Sequence, residues 1–164
     1  MHPPVGPAWL VWLETSGLAT AMRQSDWLYP IVEIVHILGI VLLVGSVAMF
    51  DLRLLGISPK LPVAGMSRHL LRWSIGSLLL VVPSGLMMFA AHATEFIDNP
   101  AFRVKLALLA LAAANAIVFH STTFRSVANW NTEAPVPAAG RAAAGISLGL
   151  WVGVIGCGRL IAYL

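Results

Sequence analysis

The sequence predicts an all-α protein, an integral membrane four-helix bundle preceded by an amphipathic helix that lies in the membrane interface. Of the 164 residues, 59% are apolar and only 10% are charged, whereas a soluble domain is about 45–50% apolar and about 25% charged. Four stretches are apolar over the roughly 20 residues that a helix needs to cross a bilayer. This composition excludes a soluble globular domain, a disordered chain and a nucleic-acid-binding protein. The single cysteine, Cys157, excludes an internal disulfide framework.

Residues 1–26 are expected to form a tail and an interfacial helix. The opening MHPPVGP contains three prolines and no basic residue, so it lacks the n-region of a secretory signal. The segment that follows contains the apolar Trp9 and Trp12 and also the charged Glu14 and Arg23. This segment is too polar to span the bilayer, and its tryptophans favour the depth of the lipid headgroups.

Residues 27–164 are expected to form one domain with four spanning helices, at about 27–50, 69–91, 102–124 and 142–164. Pro83 is expected to kink the second helix, and Asn115 to bond from the third helix to a neighbour. In the fourth helix, Gly145, Gly149 and Gly153 form a stripe of small residues that lets another helix or a flat ligand approach closely.

The basic residues predict the orientation. Six lie on the side of the first and third loops and four on the other side, and basic residues favour the cytoplasm. Both termini are therefore expected outside the cell. The first group is Arg53, Lys60, Arg68, Arg72, Arg125 and Arg141, and the second is Arg23, Arg103, Lys105 and Arg159.

Four histidines fall in or beside the spanning helices, where ionisable groups indicate function. His36 and His92 are expected towards the outer face, and His69 and His120 towards the inner face. Each pair comes from adjacent helices, and two facing histidines are the usual axial ligands of a b-type haem in a helical bundle. One or two haems are therefore expected. The simpler interpretation is that each histidine is interfacial or hydrogen-bonded.

Other polar residues support this hypothesis or compete with it. Glu33 is a candidate for proton or quinol chemistry, or for orienting His36. Three basic residues are candidates to hold haem propionates: Arg103, Lys105 and Arg159. Asp51 is expected to form a local ion pair with Arg53. A competing outer site would bind a transition metal, with a thioether favouring Cu(I), through Glu33, His36, Met88, His92 and Glu95.

The run WLYPIVEIVHILGIVLLVGSVAMFDLRLLG (27–56), with NPAFRVKLALL (99–109) and NAIVFH (115–120), resembles a family of small bacterial inner-membrane proteins of unknown function. The resemblance implies a bacterial four-helix membrane protein and no established activity. The family pattern is not consistently histidine at the positions of His69 and His92. The resemblance therefore favours His36 and His120 as ligands. The signature positions in this sequence are Glu33, His36, Asp51, Arg53, Arg103, Lys105 and His120. The four-helix layout is also similar to that of membrane cytochrome b proteins, including superoxide oxidase.

Three functional hypotheses follow. The first is a cytochrome b-like subunit that passes electrons between a quinone and a partner redox subunit in the bacterial inner membrane. The second is a cofactor-free accessory subunit that docks onto a larger complex through its glycine stripe and its aromatic N-terminal helix; a homo-oligomer is an alternative assembly. The third is a protein that binds or transports a transition metal.

Overall fold

The structure, a computed structural model, describes residues 6–132 and 134–164. Within these ranges four helices are long and apolar enough to cross a membrane, which confirms the predicted all-α membrane bundle. The helices are α1 (Ala8–Glu14), α2 (Gly17–Gln24), α3 (Leu28–Leu54), α4 (Val63–Ala91), α5 (Ala93–Asp98), α6 (Pro100–Ser121) and α7 (Ala138–Leu160), with a 3₁₀ helix at Thr123–Asn129 between the last two.

The spanning helices differ from their expected bounds at several ends. The second begins at Val63, directly after Pro62, rather than at residue 69. Its first turns can be helical because their Arg and His side chains are exposed and can reach the headgroups. The third begins at Pro100, where the Asn99 side chain accepts hydrogen bonds from the first free backbone N–H groups. The positions of the charged residues therefore did not predict where these two helices begin.

The predicted single interfacial helix is wrong in detail, since the segment forms the two short helices α1 and α2. The Ser16 hydroxyl accepts a hydrogen bond from the Ala19 N–H and starts α2. Arg23 then donates to the backbone carbonyls of Glu14 and Ala91, both at 2.7 Å. The buried Glu14 carboxylate accepts from the Thr94 N–H and hydroxyl at 2.9 and 2.7 Å. These bonds fasten α1 and α2 to α4 and α5.

The four long helices pack as two pairs. Helix α3 lies along α4 and α6 lies along α7, while contacts between α3 and α7 join the pairs. Helices α4 and α6 meet through the stacked rings of Phe89 and Phe102, whose centroids are 5.5 Å apart. The α3–α4 contact is closest at Gly39, where a methyl group would lie 2.7 Å from Cγ2 of Val81.

Two apolar clusters lie at opposite ends of the bundle. The first, at what we call the α5 end, contains Met22, Val32 and Ala91, with Met87 and Met88 packed against them. The second, at what we call the 3₁₀ end, contains Leu54, Val63, Phe119, Trp130, Val136 and Ala144. Between the clusters most large apolar side chains are exposed, as expected for helices that face lipid.

Two expectations for contacts between α6 and α7 have different outcomes. The Asn115 amide donates to the Ala143 carbonyl at 3.0 Å, which confirms the predicted bond between helices. Gly153 is in close contact, because a methyl group there would lie 2.9 Å from Cδ1 of Leu108. A methyl group at Gly145 or Gly149 would meet nothing within 4 Å, so only one of the three glycines packs closely inside this chain.

The expected ion pair between Asp51 and Arg53 is wrong. The buried Arg53 guanidinium donates instead to three backbone carbonyls, those of Leu61 (2.7 Å), Pro59 (2.8 Å) and Asn131 (3.4 Å). Residues two apart on a helix point about 200° apart around its axis. Asp51 therefore faces α7, while Arg53 holds the chain that connects the helices.

Candidate functional site

The candidate site is built around His36, on the face of α3 that contacts α4. Its Nδ1 lies 3.1 Å from the Val81 carbonyl oxygen and 2.9 Å from the Ser84 hydroxyl oxygen. A carbonyl oxygen can only accept, so Nδ1 must carry the proton and donate. The Ser84 hydroxyl in turn donates to the Leu80 carbonyl. In the neutral imidazole this contact selects one tautomer, with the proton on Nδ1 and the lone pair on Nε2.

Two features of α4 allow His36 to approach it. Pro83 lies inside the helix and cannot donate the hydrogen bond that would close its turn, which loosens the local backbone. Gly85 has no side chain, and a Cβ there would lie 3.0 Å from Cε1 of His36. The Ser84-Gly85 pair therefore supplies the hydroxyl and the space that the imidazole needs, and the predicted kink at Pro83 stays a prediction.

Lys105 and Glu33 lie within electrostatic range of the His36 imidazole. Lys105 is half-buried on α6, and its Nζ lies 3.8 Å from where a Cβ on Gly158 of α7 would be. Glu33, one turn before His36 on α3, is exposed. His36 of the α3–α4 pair and Lys105 of the α6–α7 pair thus lie within range of each other's charge, and the exposed Glu33 carboxylate lies one turn away.

His92 does not join His36 in this structure. The His36 ring is level with Val81 to Gly85, and His92 follows Gly85 by roughly 10 Å along the helix axis at 1.5 Å per residue. Its ring meets the edge of Tyr29 with centroids 6.0 Å apart, and its Nδ1 lies 3.4 Å from a Glu95 carboxylate oxygen. The expected outer ligand pair is therefore not assembled.

The second predicted pair has no shared contact in the described ranges. His69 is exposed, and its ring meets the Trp73 ring of the same helix with centroids 6.5 Å apart. The His120 ring packs on Phe119 and Phe124 with centroids 5.2 and 5.0 Å apart. The arrangement of His69 agrees with the simpler interpretation of an interfacial residue.

The outer transition-metal site is not formed either. The part of the chain that the structure describes contains no group of three or more histidine, cysteine, aspartate or glutamate side chains that could hold a metal ion. Met88 packs against the apolar cluster at the α5 end, and Glu95 is exposed. The candidate ligands lie close together in the sequence, yet the structure does not direct their donor atoms to one point.

Of the three basic candidates for an anionic group, only Lys105 lies inside the bundle. Arg103 is exposed and donates to the Ile97 carbonyl at 2.6 Å and to Asp98 at 3.2 Å. Arg159 is exposed and donates to the Tyr163 hydroxyl at 2.7 Å. Both guanidinium groups are thus held locally at the α5 end.

Several residues of the site were missed in the sequence. Ser84 and Gly85 were not predicted from the sequence as residues of the site. Asp51, which lies outside this site, was predicted to pair with Arg53, yet it is buried against α7. The available signal was the run Pro83-Ser84-Gly85, which combines a proline, a hydroxyl and a residue without a side chain within one turn of a spanning helix.

A protein family described as "Family of unknown function (DUF6644)" matches residues 9–164 of the chain. The match includes the interfacial helices, all four spanning helices and every residue of the candidate site. No curated protein and no solved structure matches the chain. The chain belongs to this family of unknown function.

Proposed function

We propose that this protein is a multi-pass membrane electron-transfer subunit that binds one b-type haem through Nε2 of His36 and exchanges electrons with a quinone. The observation that supports the proposal is the state of His36, whose Nδ1 donates to the Val81 carbonyl and whose Nε2 is free. Histidines that ligate metals almost always donate their other ring N–H to a carbonyl, a carboxylate or water, which orients the ring and raises its basicity.

The surroundings of His36 suit a flat, partly anionic group. The imidazole lies on the face of α3 that contacts α4, and Lys105 would supply a cation from the α6 side. The ammonium would pair with a propionate or with a reduced quinone. Glu33, exposed at the edge, would exchange protons with the quinone. A bound haem supplies one-electron chemistry, and the chain would supply the ligand, the cation and the proton-exchanging carboxylate.

The proposed setting is the bacterial inner membrane with both termini outside. The predominance of basic residues at the first and third loops supports this orientation. The α5 end, with His36, would then be the outer end of the bundle. The partner is expected to be a second redox subunit at that side.

The alternative, an accessory subunit without a cofactor, is supported by a different observation. Gly145 and Gly149 are exposed on α7, and a methyl group at either would meet nothing in this chain within 4 Å. Such a stripe permits close approach of a partner helix. A haem-binding subunit would be coloured after purification, whereas a subunit without a cofactor would be colourless.

The test is a reduced-minus-oxidised visible spectrum of the protein purified in mild detergent from haem-replete cells. Wild-type protein and the His69→Gln control are expected to show the α-band of a b-type haem, and His36→Gln to lose it. Ser84→Ala is expected to keep the haem with an altered midpoint potential, since the hydrogen bond to Nδ1 tunes the ligand. Colourless wild-type protein would refute the haem proposal and favour the accessory subunit, and full haem content in His36→Gln would refute the assigned ligand.

A further inference from the structure

Asp51 is a buried carboxyl group that the proposed haem site does not use. It lies on α3 at the 3₁₀ end, and the residue is 5% exposed. Its Oδ2 is fully buried without a hydrogen-bond partner, the one such side-chain atom among the described residues. A buried polar atom without a partner needs a physical explanation.

The neighbouring helices supply one polar partner and no cation. On α7, the buried Ser147 hydroxyl interacts with the carboxyl. Arg53 is occupied by three carbonyls, and His120 packs between aromatic rings. In the described ranges, the two ion pairs, His92–Glu95 and Arg103–Asp98, lie at the opposite end of the bundle. The remaining basic residues of the 3₁₀ end are exposed: Lys60, Arg68, His69, Arg72, Arg125 and Arg141.

This environment favours the uncharged form of the carboxyl. An ionised carboxylate removed from water without a cation is far more costly than a neutral polar group, and such groups neutralise by taking up a proton. The neutral acid has an O–H donor, which the Ser147 oxygen can accept. One oxygen then remains without a donor, as Oδ2 does here.

We propose that Asp51 is a proton-binding site, held as the neutral carboxylic acid where the α3–α4 pair meets the α6–α7 pair. When the site empties, the carboxyl O–H bond breaks, its electron pair stays on oxygen and the proton passes to water, with no oxidation or reduction. The carboxylate left behind is unpaired between α3 and α7, so exchange requires water to enter this contact. The inference does not depend on a bound haem.

The infrared spectrum of the protein in lipid vesicles tests the protonation state directly. The chain has three aspartates, Asp26, Asp51 and Asp98, and the other two are exposed. At neutral pH we expect the C=O stretching band of a protonated carboxyl, moved to lower wavenumber by ¹³C labelling of the aspartate carboxyl carbons and by D₂O. The band should be absent in Asp51→Asn and unchanged in the matched control Asp26→Asn. Ser147→Ala should move it to higher wavenumber, because the hydrogen bond is lost.

Two results would overturn the inference. One is a wild-type spectrum at neutral pH that lacks the label-sensitive C=O stretching band of a protonated carboxyl. This result includes the case in which added sodium or potassium changes the carboxylate band, which would identify a bound cation. The other is a label-sensitive band that persists in Asp51→Asn. Should Asp51→Asn fail to fold, the labelled wild-type spectrum still decides between the neutral acid and the carboxylate. A failure of the haem proposal would leave this band unchanged.

Discussion

Replacing Gly39 by alanine should destabilise the bundle, because this glycine makes the closest contact between α3 and α4. The added methyl group would lie 2.7 Å from Val81 Cγ2, 3.0 Å from Leu80 Cβ and 3.2 Å from the Val81 backbone nitrogen. Two of these three atoms belong to the backbone or to the first side-chain carbon. They cannot move away without displacing α4 itself. Overpacking of this kind costs about 1–3 kcal/mol.

The matched control is Gly45→Ala in the same helix, where a methyl group would meet nothing within 4 Å. Both substitutions gain about 1 kcal/mol of helix propensity, so this gain cancels when the two variants are compared. The free energy of unfolding of Gly39→Ala should therefore be lower than that of Gly45→Ala by about 1–3 kcal/mol. The Val81 carbonyl also accepts from His36, so Gly39→Ala should in addition disturb the proposed haem site.

The assay is reversible unfolding in mixed micelles, in which rising proportions of sodium dodecyl sulfate are followed by tryptophan fluorescence and circular dichroism. The wild-type protein provides the common reference for both variants. Unfolding free energies that agree to within about 0.5 kcal/mol, the usual range for substitutions without a named mechanism, would refute the close contact between α3 and α4.

Two further substitutions test the rest of the packing in the same assay. Relative to its control Gly149→Ala, Gly153→Ala should cost less than Gly39→Ala costs relative to Gly45→Ala, because the methyl group would meet the flexible end of the Leu108 side chain. An equal or larger cost would contradict the expectation that this side chain gives way. Arg53→Lys should lose about 1.5–3 kcal/mol, since one ammonium cannot reproduce the fork of donors that binds three carbonyls. Faster hydrogen exchange of residues 57–61 should accompany that loss, and unchanged exchange would exclude a clamping role for the guanidinium.

The four spanning helices were predictable because length and hydropathy alone decide whether a helix can cross a bilayer. Their ends were less predictable. A residue such as Arg68 can lie inside a helix while its charge reaches the membrane surface. The division of the interfacial segment into α1 and α2 depends on the Ser16 cap, a local signal that the amphipathic pattern obscured.

The histidines show why the site was harder to predict than the fold. Depth along a helix can be calculated from residue number, and it correctly separated His36 from His69. The side to which a ring turns depends on the neighbouring helix, and His36 turned to Val81 and Ser84 rather than to His92. The charges of Asp51 and Arg53 likewise suggested an ion pair. Residues two positions apart, however, point to opposite sides of a helix.

The pairing of the helices has a consequence for how the chain is made. Helices α3 and α4 are consecutive spans, as are α6 and α7, so each hairpin can form most of its contacts as soon as it has left the ribosome and entered the bilayer. The contact between α3 and α7 joins segments far apart in sequence and must therefore form last. Until then the Asp51 carboxyl is not covered by α7. The free-energy cost of burying the Asp51 carboxyl therefore arises only in the final step of assembly, when α7 packs against α3 and brings Ser147 into contact.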